Sequence, residues 1–115
     1  MKPDTKLQMI AVEDIGKYGA LAFTDHERMK GREIDIAGDE LTMPEAARAL
    51  SAATGKTIEF VPIPIAAVRQ NSDDFATMLE WFERVGYDAD IEGLTSEFRI
   101  QPTKFADWAR THAPR

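Results

Sequence analysis

The chain has no cysteine. That excludes a disulfide framework, thiolate nucleophiles and cysteine metal ligands. It has only two histidines, His26 and His112, and neither stands at ligand spacing from a third donor, so no metal site is expected. Positive charge is scarce too. Fourteen Lys and Arg stand against 20 Asp and Glu, a net charge of −6, with no basic run longer than two residues. Binding nucleic acid calls for a Lys/Arg excess on one face to neutralise phosphates, so no nucleic-acid partner is expected. No apolar run approaches the roughly 20 residues of a membrane span. The opening MKPDTKLQMIAVED has no long apolar core of a signal peptide. A cytoplasmic protein without a membrane partner is expected, and the missing cysteine agrees with a reducing compartment.

Phosphate-cradling loops are absent as well. Neither G-x-G-x-x-G nor a P-loop occurs, and Gly16 and Gly19 stand too isolated to hold a phosphate. Ser51 and Ser72 have no nucleophile elbow around them. Tyr18 has no lysine four residues on. These gaps leave no catalytic residue, no cofactor-binding residue and no cofactor to assign.

What is present is ordinary globular material. At 115 residues, 43% hydrophobic and 30% charged, residues 1–115 read as one domain. A chain of this size buries roughly two thirds of its unfolded surface. LQMIAVE, Leu7 to Glu13, is a short apolar run and reads as a buried strand. Asp14 then stands where it can N-cap a helix starting at Ile15. TDHERMKG adds one helical turn, with Thr24 as cap and Gly31 as stop. EIDIAG alternates, placing Ile34 and Ile36 on one face of a half-buried strand.

Thr42-Met43-Pro44-Glu45 fits a capping box, with Thr42 at the N-cap and Glu45 reaching back. Met43, Ala46, Ala47, Leu50 and Ala53 follow as an apolar stripe, and Gly55 ends the helix. TIEFVPIPI alternates again, but its two prolines demote it to an edge strand or a leaving segment. Asn71 or Ser72 caps the strongest helix, whose buried face is expected to hold Phe75, Met78, Leu79, Phe82 and Val85 before Gly86 stops it. The tail from Tyr87 is less regular, with Thr103 capping a last helix that holds Phe105 and Trp108. The expected fold is α/β: a two- or three-stranded sheet packed with about four helices.

Two groups of residues invite a chemical reading. Glu33, Asp35, Asp39, Glu40 and Glu45 look like a carboxylate cluster. Strand alternation, turn chemistry and the capping box account for them structurally. Trp81 and Tyr87 lie beside the apolar face of the strongest helix and are candidates for an interface or for ligand stacking, with packing the default.

QMIAVEDIGKYGALAF, GREIDIAGDELTMPEAARAL, MLEWFERVGYDADI and FADWA together resemble the C-terminal half of NmrA-like proteins. These are atypical short-chain dehydrogenase/reductase relatives with a Rossmann NAD(P)-binding domain. The resemblance spans almost the whole chain. It implies that AVEDIG ends a strand beside the substrate cleft and that IAGDELT joins strand to helix in the substrate-side domain. It carries over Gln8, Met9, Glu13 and Asp14 as candidate ligand-cleft residues. Family members place a Gly-rich dinucleotide loop more than a hundred residues before this point, whereas Met1 opens this chain just ahead of the AVEDIG strand. The expectation is a stand-alone substrate-side domain, non-catalytic by itself. It would bind a small molecule or a protein and self-associate as a homodimer. The alternative is a reductase half completed by a separate Rossmann-type partner.

Overall fold

A computed structural model describes residues 2–112. β1 (Lys6–Met9) pairs antiparallel with β2 (Asp39–Thr42), Lys6 opposite Thr42 and Met9 opposite Asp39. The ladder runs one bond further, where the Gly38 N–H donates to the Met9 carbonyl at 2.8 Å. Between the strands come α1 (Val12–Thr24) and the single turn α2 (His26–Met29). After β2 the chain forms α3 (Met43–Thr54), α4 (Ile65–Asn71), α5 (Asp73–Arg84), α6 (Ile91–Phe98) and α7 (Phe105–His112). The domain is mixed α/β, with a two-stranded sheet and seven helices among the described residues.

Several local expectations change. The first strand stops at Met9 and α1 starts at Val12 behind Ala11, so Asp14 sits inside the first turn and does not cap it. Asp25, not Thr24, precedes α2, and it makes no side-chain cap bond. EIDIAG forms no strand, and its one ladder bond is that of Gly38. Ile34 and Ile36 pack onto the core while the ladder forms one segment later, at DELT. The third strand does not form among the described residues. Ser51 takes the place of a partner strand, its hydroxyl bonding both the N–H and the carbonyl of Ile58 at 2.9 and 3.0 Å. Beyond Pro64 the chain turns helical as α4. Two helices, α4 and α6, go beyond the expected set. The α6 cap is Asp90, whose carboxylate accepts from the Gly93 N–H at 3.0 Å.

Other expectations hold as read. The capping box of α3 is complete: the Thr42 hydroxyl accepts from the Glu45 N–H and the Glu45 carboxylate accepts from the Thr42 N–H. Gly55 closes α3 with φ +72°, a left-handed conformation that glycine adopts without strain. Ser72 caps α5 through the Phe75 N–H at 3.1 Å.

The centre of the core is small. Tyr18, Leu94 and Phe98 are buried, ringed by Ile10, Leu21, Met29, Ile34, Ile36 and Ile100. The Tyr18 and Phe98 rings meet edge to face at 5.8 Å. The Arg28 and Arg32 guanidiniums lie over Phe98 at 5.3 and 5.2 Å. Burial pushes the Tyr18 hydroxyl pKa up, with the Asp14 charge adding to it. A second contact joins α3 to α7, and both helices bury small residues, Ala47 and Ala53 on α3 and Ala109 on α7.

The α4–α5 hairpin packs mainly on itself and reaches the rest through β1. The outline is accordingly long and flat, 47 × 34 × 21 Å with a radius of gyration of 16.4 Å. A folded chain of this length averages about 13 Å. Accessible surface is 8045 Å², against about 6,300 Å² for a folded monomer of the same mass.

Candidate functional site

Two surfaces gather the residues of interest, one on each side of β1. The first is a cleft of about 230 Å³ where β1 passes into α1, walled on the far side by α7. Met9, Ile10, Ala11 and Val12 form one wall and Thr103, Phe105 and Trp108 the other. Phe105 and Trp108 stack at 5.8 Å, one helical turn apart, and Trp108 stacks in turn on His112 at 5.5 Å.

Two carboxylates place α7 against this cleft. Asp14, 1% exposed, accepts from the Thr103 N–H at 2.7 Å and from the Thr103 hydroxyl at 3.1 Å. Asp39 accepts from the Phe105 N–H, the first of α7, at 2.8 Å. Carboxylate bonds to N–H groups at a helix start are charge-assisted and suit the dipole. The expected Thr103 cap is therefore replaced. Its hydroxyl is spent on Asp14, and Asp39 meets the helix end. Gly38 lies against the same junction, where a Cβ would make ordinary contacts 3.4 Å from the Thr103 carbonyl and 3.8 Å from Asp14.

The four cleft candidates thus separate. Met9 lines the cleft. Asp14 lies behind it, holding the wall. Glu13 is exposed at the mouth, 3.7 Å from the His112 ring across α1 and α7. Gln8 points to the other side of β1. Its amide donates to the Ala89 carbonyl at 2.8 Å and accepts from the Ala89 N–H at 2.9 Å. Phe105 and Trp108, placed by the sequence on a helix, turn out to be the aromatic wall. Their signal is the F-x-x-W spacing, which puts both rings on one helical face. The lining is apolar apart from Thr103, so its chemistry is packing around an uncharged ring or a short aliphatic group.

The second surface is the outer face of α5. Trp81 and Tyr87 meet edge to face at 5.1 Å, with Phe82 at 5.6 Å from Tyr87. They border a hollow of about 600 Å³ together with Phe75 and Met78. The face expected to be buried is largely open. Phe75 is 50% exposed, Met78 40% and Val85 62%. Only Ala76 of α5 is fully buried.

The carboxylate series never converges. Glu33, Asp35 and Glu40 face solvent, Asp39 meets α7 and Glu45 closes the α3 box. Among the described residues no group of three or more His, Asp or Glu could hold a metal ion. Nor is any helix long and apolar enough to cross a membrane.

The NmrA-like family model matches residues 1–109. The chain belongs to the NmrA-like family. No curated protein matches it. In this NmrA-like chain the AVEDIG segment is the turn from β1 into α1 that forms one wall of the cleft, and IAGDELT runs through Gly38 and Asp39 into β2 and the α3 cap. The family segments therefore surround the attachment of α7.

Proposed function

We propose that this NmrA-like chain is a binding module, non-catalytic by itself, that is completed by association with a second copy. The observation that carries the reading is its surplus surface, about 1,700 Å² beyond that of a folded monomer of its mass. Monomers rarely expose contiguous apolar patches larger than a few hundred Å². Here Phe75, Met78, Val85 and Tyr87 stand open along one helix and its exit. Asp14, the one buried carboxylate among the described residues, has its oxygens committed to Thr103, which supports a holding role for the family's AVEDIG motif.

Sedimentation velocity of the full chain between roughly 1 and 100 µM, where weak dimers form, tests the association. Twice the chain mass is expected at the upper end. A monomer throughout overturns the reading. Melting with millimolar NAD(P)H tests the non-catalytic part. No change in Tm is expected, and a saturable rise would show cofactor binding and overturn this part of the reading.

A further inference from the structure

The chain leaves the body after α3 and returns to it after α5, and one side chain fastens it at each crossing. On the way out, the Ser51 hydroxyl accepts from the Ile58 N–H at 2.9 Å and donates to the Ile58 carbonyl at 3.0 Å. On the way back, the Gln8 amide accepts from the Ala89 N–H at 2.9 Å and donates to the Ala89 carbonyl at 2.8 Å. Both backbone groups of one residue are held at each end. Residues 59–88 lie between these points and contain α4 and α5.

This stretch is better tied to itself than to the rest. α4 and α5 pack on each other, and α5 touches the body chiefly at β1. Arg69 is ion-paired with Asp73 and Glu80 of the same stretch. Trp81, Phe82 and Tyr87 form one ring cluster inside it. Burial is slight: α4 has no buried residue and α5 has only Ala76. The seam with the body is not filled. A hollow of about 380 Å³ lies at it, with Gln8 and Ile36 on the body side and Tyr87 on the other. Empty space at a seam forfeits packing contacts on both walls. The Lys2 N–H to Glu83 bond also crosses the seam, but at the exposed surface.

We infer that residues 59–88 form an arm that opens from the body as one unit while the body stays folded, with Gln8 and Ser51 as its two catches. A region with few buried contacts and its own internal ties opens below the free energy of global unfolding. Tyr18, Leu94 and Phe98 lie outside the stretch, so the centre of the core is untouched when the arm lifts. Once lifted, the two helices are too short to hold in water alone, and their amides exchange through the same event. The inference goes beyond the association reading and stands whether or not the chain dimerises.

Hydrogen exchange of the full chain, followed amide by amide by NMR at one chain concentration, tests this. In the wild type the α4 and α5 amides are expected to share one level of protection, at least roughly 10-fold below the slowest amides of α1 and α3. Equal protection throughout overturns the separate opening. Gln8→Ala removes two hydrogen bonds that opening breaks, so exchange in α4 and α5 should rise roughly 10-fold. An unchanged rate there overturns the role of Gln8 as a catch. Ile100→Val trims the rim of the core, which opening of the arm leaves intact. It should speed the slowest amides of α1 and α3 roughly 5-fold and leave α4 and α5 at the wild-type rate. Equal acceleration in α4 and α5 means that arm and body unfold together, and it overturns the inference. If Gln8→Ala loses its helices by circular dichroism, Ser51→Ala takes its place under the same two outcomes. A monomeric wild type would overturn the association reading and leave this one standing.

Discussion

Asp14 is the one charged side chain among the described residues that the fold buries, and it spends both oxygens on Thr103. Lys17, one turn on, lies 3.5 Å from it and stays half exposed. A carboxylate in this position holds the α7 attachment to α1. Asp14→Ala leaves the Thr103 N–H without its partner and is expected to cost about 3 kcal/mol. Thr103→Val removes only the hydroxyl bond and should cost about 1 kcal/mol. Urea unfolding of the two variants checks the ratio; equal losses would mean that the backbone bond contributes little. The sequence points Asp14 at its own helix because the nearest free N–H groups are local. Its actual partner lies 89 positions away, and no local pattern encodes that distance. Met9, named through the family resemblance, lies in the wall of the cleft, and Phe105 and Trp108 were legible only as a pair sharing a helical face.

At the scale of elements, local chemistry was readable and pairing was not. The α3 box depends on four consecutive residues, and it stands as read. The bond from the Thr42 N–H, followed by that from the Thr42 hydroxyl, holds the Glu45 carboxyl below its usual range. A carboxyl lowered in the folded state contributes stability above its unfolded pKa and loses it as pH falls through the folded value. Thr42→Ala is therefore expected to cost about 1 kcal/mol at neutral pH. The difference from wild type should shrink once the medium is acid enough to protonate Glu45. Urea midpoints at neutral and acid pH measure it, and a pH-independent gap would sink the account. The strands followed another logic. EIDIAG and TIEFVPIPI both alternate, but alternation reports only which side chains share a face. A strand also needs a neighbouring backbone in register, and β1 offers that edge to DELT. Ile58 instead finds its partner in the Ser51 side chain.

For the molecule as a whole, the apolar stripe of α5 was legible and its exposure was not. Periodicity groups Phe75, Met78 and Val85 on one face without saying whether anything of the same chain covers them. If a second copy covers them, folding and association are linked, and Tm rises with chain concentration. Each chain carries a net charge of −6, so the copies repel at long range. Added salt screens that repulsion. Raising sodium chloride from ~50 to ~500 mM is expected to tighten the dimer in sedimentation runs. Weaker association in high salt would mean that ion pairs between copies, rather than apolar packing, hold it together.

The amide of Gln8 has one more consequence. A carboxamide is a peptide group with no chain attached beyond it, and one of its two N–H groups and its carbonyl stand at the spacing of a ladder rung. By pairing with both backbone groups of Ala89, Gln8 supplies the rung of a third strand that the described residues do not build. The segment leaving α5 is thereby spliced to the sheet as if it were a strand. Asparagine would fall one methylene short of this splice and glutamate would lack the donor. Position 8 thus holds the chain leaving α5 against β1 through a single side chain.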